Sequence, residues 1–270
     1  MKFICNRKMF MEYLKVSKKM INNKASFAPV KAITLNVEKD NVILKCINND
    51  AGSHMMDITL QCEVIKEGSC LIDFKTLENT LKNCNDDFIE VERIENILYI
   101  NSGSFKSKNM LLNDDVDLDI VNKNNYEKVS TIDFSELKKM IKLTLPAISN
   151  DVTRPILNCF YMEVLKDNYI SLTSIDGYRL ATDKTHSKND MEKDFIIPSK
   201  MLNILSAMKF KNDIEIFSND KHIKFTINNI NLYIEVVRGE FIEYKKLISK
   251  DHNTRVTIND TKKLHDILKA

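Results

Sequence analysis

The chain has 270 residues, 43% hydrophobic and 29% charged, with a net charge of +2. That length suits about two domains that each bury a core, and five glycines with four prolines exclude a collagen-like or linker-rich chain. No apolar run approaches the ~18 residues that cross a bilayer, and the opening Met1-Lys2-Phe3-Ile4-Cys5 lacks a signal peptide's apolar core, so a cytoplasmic location without a membrane partner is expected.

From the N-terminus, a short strand leads into an amphipathic helix over 8–21, with Phe10, Tyr13, Leu14, Ser17 and Ile21 on one face. Strands are predicted over 32–37, 42–47 and 57–64, from β-branched alternation broken by turns such as Lys39-Asp40-Asn41. Gly52-Ser53-His54-Met55 has the composition of a cloning scar but is internal, and it is read as coincidence. A second helix over 75–83 carries Leu77 and Leu81 inward, and strands follow over 89–93 and 97–101. The polar stretch 113–128 reads as an interdomain linker.

Beyond it the pattern returns. A helix over 135–147 (Leu137, Ile141, Leu145) has Asp133 or Ser135 as its cap, and a helix over 199–209 (Met201, Leu205, Met208) is opened by Ser199 after Pro198. Strands are predicted over 160–165, 170–174, 214–218, 222–227 and 231–237. Leu71-Ile72-Asp73-Phe74-Lys75-Thr76-Leu77 resembles Ile196-Ile197-Pro198-Ser199-Lys200-Met201-Leu202, 125 residues on, and Phe88-Ile89-Glu90-Val91 matches Asp213-Ile214-Glu215-Ile216 at the same offset. Thr257-Ile258-Asn259 and a helix over 261–270 begin a third copy, matching Thr131-Ile132-Asp133 and the helix after it. The expectation is an α+β fold of duplicated domains, each with two helices packed on antiparallel sheets. The boundaries fall at 1–128, 129–250 and an incomplete 251–270.

Charge is partitioned between these elements. The five helix windows hold fourteen lysines against four acids, a surplus of ten, so the remainder of the chain carries a deficit of eight. Lysine is a good filler of solvated helix faces, but that role would use glutamate as often. A helix layer facing an anionic polymer accounts for the bias, through sequence-independent and salt-sensitive phosphate contacts. Aromatic residues are absent from the polar helix faces, which argues against stacking on single-stranded bases.

Six scattered cysteines have no CxxC spacing and read as reduced, buried thiols. The five histidines lack metal-ligand spacing. No nucleophile elbow, phosphate loop or dinucleotide turn is present, and Asp176 beside Gly177 reads as a turn aspartate. No catalytic residue, metal or cofactor is therefore expected.

Four segments carry a family resemblance: Asn150-Asp151-Val152-Thr153-Arg154-Pro155-Ile156-Leu157-Asn158, Ser174-Ile175-Asp176-Gly177-Tyr178-Arg179-Leu180-Ala181, Phe195-Ile196-Ile197-Pro198-Ser199-Lys200, and Arg238-Gly239-Glu240-Phe241-Ile242-Glu243-Tyr244-Lys245-Lys246-Leu247-Ile248. In this order they resemble the bacterial beta sliding clamp family, whose signatures include T-D-G-[HY]-R-L-A and I-P-S-K. The first ~130 residues match in pattern and in Met1-Lys2-Phe3.

The resemblance implies a ring with helices inside and sheets outside, through which duplex DNA passes without base readout. In that family two chains of three domains close head to tail as a homodimer, and this chain reads as cut short within its third domain. The resemblance further implies a cleft for short peptide motifs of the polymerase catalytic subunit, the clamp loader and repair proteins. Its wall here would be Leu157, Ile175, Gly177, Tyr178, Arg179, Leu180, Ile242, Lys246 and Leu247. Lys24 stands where the family has a DNA-facing basic residue, with Lys138, Lys142, Asn150 and Lys200 as further candidates. Ile175 replaces the motif's threonine, and Ile242 and Ser249 replace prolines, which leaves the peptide preference open. Two other arrangements stay open: a clamp-like scaffold or competitor that does not encircle DNA, and a two-domain chain closing as a trimer.

Overall fold

A computed structural model describes residues 1–22, 28–112, 120–121, 123–151, 153–249 and 253–269. It divides into two compact units, Met1–Gly239 and Glu240–Ala270.

The first unit holds two repeats. In the first, β1 (Lys2–Asn6) runs into α1 (Arg7–Ser17), followed by β2 (Ala32–Glu38), β3 (Asn41–Asn48), β4 (His54–Gln61), β5 (Glu63–Lys66) and β6 (Gly68–Asp73). Then come α2 (Phe74–Asn83), β7 (Phe88–Ile94), β8 (Ile97–Ser102) and β9 (Phe105–Met110). The second repeat has β10 (Glu127–Asp133), α3 (Phe134–Thr144), β11 (Cys159–Leu165), β12 (Tyr169–Ile175), β13 (Leu180–His186), β14 (Lys188–Asn189) and β15 (Lys193–Pro198). It ends with α4 (Ser199–Ser206), β16 (Asp213–Ser218), β17 (His222–Ile227) and β18 (Ile230–Glu235).

The strand order proves the duplication more firmly than sequence similarity does. One sheet runs β5-β1-β7-β8-β9, and its counterpart in the second repeat runs β14-β10-β16-β17-β18. The other sheet of the first repeat runs β4-β3-β2-β6, and its counterpart runs β13-β12-β11-β15. The repeats are fused where β18 pairs antiparallel with β4, from Ile230 opposite Ile58 to Tyr233 opposite Met55, which makes one nine-stranded sheet.

Helix starts follow side-chain chemistry. Asp133 Oδ1 accepts the amides of Ser135 (2.7 Å) and Glu136 (3.1 Å), so it is the aspartate that caps α3. Asp73 does the same for α2 through Thr76 at 2.7 Å, and Asn6 for α1 through Met9 at 3.1 Å. α1 ends at Ser17, earlier than the periodicity predicts, because Met20 and Ile21 turn inward as buried residues after the last helical turn. Phe10, Leu14, Leu77, Leu81, Leu137, Ile141, Met201 and Leu205 are buried in one continuous core, as their spacing requires.

The second half of the expected linker is not loose. Val121 is buried with Met55, Ile47 and Tyr233 in a small second core. Lys123 Nζ lies 2.8 Å from the carboxylate of buried Asp57, which also accepts Asn231 Nδ2 at 2.8 Å. Gly52-Ser53-His54-Met55 is integral to this seam. His54 is fully buried, its Nδ1 accepts the Glu235 amide at 3.2 Å, and its Nε2 lies 3.0 Å from the carbonyl of Asp50.

In the second unit the only helix among the described residues is α5 (Thr261–Lys269), with no buried residue. The strand expected at Thr257-Ile258-Asn259 does not form. Its counterparts β1 and β10 each pair with a strand that follows the second helix of their repeat, β7 and β16.

Candidate functional site

Two surfaces of the first unit bear on function. The first is the helix layer, where α1 packs on α2 and α3 on α4. Several of its lysines are engaged, either across the seam between repeats or within one repeat. Lys19 Nζ donates to the carbonyl of Ala207 at 2.7 Å, and Lys138 Nζ to that of Met208 at 2.9 Å, so both neutralise the carboxyl end of α4. Lys138 also lies 5.4 Å from the centre of the Phe134 ring. Lys200 forms an ion pair with Asp50 of the first repeat, and Asn22 Nδ2 donates to the same carboxylate at 3.1 Å. Glu78, buried between Lys18 (2.9 Å) and Lys82 (3.2 Å), is held below the usual carboxylate range, mainly by its bond to Lys18.

The structure therefore places Lys200 across the seam between repeats and ties Lys138 to the end of α4 within the second repeat, and it leaves Lys142 and Asn150 exposed. Lys24 lies outside the described residues. Lys15, Lys139 and Lys209 are also exposed on this layer, though sequence reasoning counted their charge without singling them out. The expectation that no aromatic reaches the charged helix surface is corrected. Tyr13, assigned to the apolar face of the first helix, and Phe210 both line an open groove with Lys15, Lys19 and Lys209. Both are only half-buried, because α1 meets the chain after α4 there and not another full layer.

The second surface is one end of the sheet β13-β12-β11-β15. The register of Tyr161 opposite Thr173 sets the start of β11 level with the end of β12. Ile175 ends β12 directly opposite Leu180, which begins β13. Leu157, in the 3-10 turn Pro155–Asn158 that leads into β11, is buried at this same end. The Ser174 hydroxyl donates to the carbonyl of Thr144, tying the carboxyl end of α3 to β12.

Between Ile175 and Leu180 a tight loop is organised by Asp176. One carboxylate oxygen accepts the amides of Tyr178 (2.9 Å) and Arg179 (2.7 Å); the other takes both Arg179 Nε (2.9 Å) and an η-nitrogen (2.7 Å). The Arg179 amide, then the Tyr178 amide, then the guanidinium pull its pKa down to about 2. Asp176 is thus a locked turn residue, as expected. Gly177 sits at φ +95 with open space where a side chain would go, so backbone conformation and not crowding requires glycine. Tyr178 is thrown outward, 99% exposed.

Ile242, Lys246 and Leu247 belong to the second unit. Ile242 and Leu247 are exposed, and Lys246 pairs with Glu243 in the 3-10 turn Tyr244–Lys246. No thiol on these surfaces is activated: burial pushes Cys159 up to about 11 and Cys46 up to about 12.

The family model for the N-terminal domain of the DNA polymerase III beta subunit matches residues 1–130, and the model for its central domain matches residues 131–243. The chain belongs to the DNA polymerase III beta subunit family. A beta sliding clamp of Streptococcus pneumoniae (strain ATCC BAA-255 / R6) is 28% identical over 282 residues, covering 95% of this chain and 70% of that protein. Among solved structures, a putative DNA polymerase III beta subunit of Eubacterium rectale superposes with a TM-score of 0.86 at 18% identity, covering 94% of this chain and 69% of the other. A sliding clamp of Bartonella birtlesii bound to griselimycin gives 0.83 at 21%, covering 93% and 68%. The fold of the first unit is thus that of the beta subunit.

Proposed function

We infer that this chain is a DNA sliding clamp subunit, an accessory processivity factor that encircles duplex DNA and tethers a replicative polymerase. The observation that carries the reading is the β18–β4 seam. Each repeat offers a β4-type strand to the β18-type strand of the next, and among the described residues β13 and β9 stand at sheet ends with no further strand. Continuing the same pairing at both ends adds repeats edge to edge, and a head-to-tail series that closes is a ring without edges. Closure by a second copy, and the division near residues 128 and 250, belong to this proposal. Catalysis would come from the partners, with this chain supplying the tether.

Exposed Lys15, Lys139, Lys142 and Lys209, with Asn150 and Lys24, would meet phosphates. Lys200 would act by fixing the repeats, and Lys138 by capping the end of α4. Loose lysine contacts permit sliding, since a flexible ammonium makes no bidentate grip. The cleft would take a short hydrophobic peptide, with Leu157, Ile175 and Leu180 as its floor and Gly177, Tyr178 and Arg179 as its lip; the family resemblance adds Ile242, Lys246 and Leu247 as peptide contacts.

Duplex binding at low salt tests the first part. Lys139→Glu with Lys142→Glu should weaken it and flatten its salt dependence by about 0.9 in log–log slope per lost contact. Unchanged binding would refute the helix face, and so would equal loss on reversing Lys106 and Lys108 of β9. For the cleft, Leu180→Ala with Leu247→Ala should abolish capture of a polymerase-tail peptide; retained capture would overturn the assignment.

A further inference from the structure

On the helix side of the seam, α1 and the residues after α4 leave an open groove of about 540 Å³. Tyr13, Val16 and Phe210 give it an apolar wall, and Lys15, Lys19 and Lys209 a cationic one; Glu12 is the one acid beside them. The aromatic wall is braced, since the Phe210 ring packs, tilted, 6.4 Å from the buried ring of Phe134. The cationic wall is crowded. Lys19 is fixed to the Ala207 carbonyl at 2.7 Å, and its pKa is drawn down by burial first and then by Lys138 and Lys209. An anion placed there relieves that repulsion.

A site for bare phosphate needs no aromatic wall, and a site for a neutral apolar ligand does not gather three ammonium groups. A nucleotide satisfies both walls. The bases of a duplex are stacked inside and cannot reach Tyr13 or Phe210, whereas an unpaired base can. Stacking on an aromatic ring is indifferent to sequence, because every base has a π-face.

We propose that this groove holds one unpaired nucleotide of the bound DNA, its base against Tyr13 and Phe210 and its phosphate among Lys15, Lys19 and Lys209. The inference rests on the reading that the helix layer faces DNA, and adds to it a preference for DNA with a single-stranded segment. The seam then distinguishes a junction of single and double strands from a plain duplex.

The test compares a blunt duplex with the same duplex bearing a short oligo(dT) overhang, by fluorescence anisotropy at low salt. The overhang should tighten binding at least about fivefold. Tyr13→Leu, which keeps the helix face apolar but removes the ring, should erase that gain and leave blunt-duplex affinity unchanged. Irradiation of a 5-iodouracil overhang should give an adduct on Tyr13 or Phe210. The inference is overturned if the duplex binds but the overhang adds nothing. It is equally overturned if the gain survives Tyr13→Leu, or if adducts form only elsewhere. Absence of duplex binding altogether removes the helix-face reading, and the inference with it.

Discussion

β4 and β13 occupy the same position in the two repeats, and their side chains have opposite fates. Carrying the strand registers from one repeat to the other sets Met56, Ile58 and Leu60 against Ala181, Asp183 and Thr185. The first three are fully buried; the last three are half-buried or less. Both strands lie against a first helix, α1 or α3. What differs is the neighbour: β4 pairs with β18, whereas β13 ends its sheet among the described residues and carries Lys184 outward. A charged, polar end strand avoids indiscriminate pairing. Equivalent strands thus record in their composition whether a partner is permanently in place.

The comparison can be broken most sharply in the core. Ile58→Ala should cost about 2–5 kcal/mol by leaving a cavity, while Asp183→Ala at the equivalent position should stay within about 0.5 kcal/mol. Urea unfolding of both variants checks this, and a comparable loss at Asp183 would mean that β13 is as tightly integrated as β4.

The next largest effect concerns His54, whose pKa burial lowers to about 4. Its folded value lies below the unfolded value, so the unfolded chain binds the extra proton first. The stability His54 contributes is complete above about pH 6.5 and is lost as pH falls toward 4, by roughly 3 kcal/mol. His54→Gln should flatten the pH dependence of the unfolding midpoint over that window; an unaltered slope would place the titration elsewhere.

Removing Lys123, whose ammonium pairs with buried Asp57, should destabilise by about 1–3 kcal/mol by leaving that carboxylate short of a partner. Lys184→Met on β13 should change stability by under about 1 kcal/mol, because its pair with Asp167 is exposed. Asp133→Ala, which removes the α3 cap, should cost about 1 kcal/mol. Thermal melts of the three variants would rank them.

Helix and strand positions were legible wherever periodicity was clean, as at Leu137 and Ile141 or over 222–227, and the duplication was legible at Leu71 and Ile196. β13 was not, because Ala181, Asp183 and Thr185 give an end strand no apolar alternation. The pinned connection could not be read because Val121 lies in a stretch dominated by Asn, Asp and Lys, whose polar composition reads as linker. For the candidate site, the turn role of Asp176 and the exposure of Lys142 could be read from residue type. The engagement of Lys138 and Lys200 could not, since their partners, Met208 and Asp50, are 70 and 150 residues away. Tyr13 read as core because helical spacing does not reveal where a neighbouring layer ends.

The most direct test of the central claim is retention on a closed circular duplex, loaded with a clamp loader and ATP, at salt that abolishes binding to short linear DNA. A subunit that holds DNA by encircling it stays on the intact circle and is lost through the ends once the circle is cut. Equal loss before and after cutting would contradict the account, as would retention on both forms.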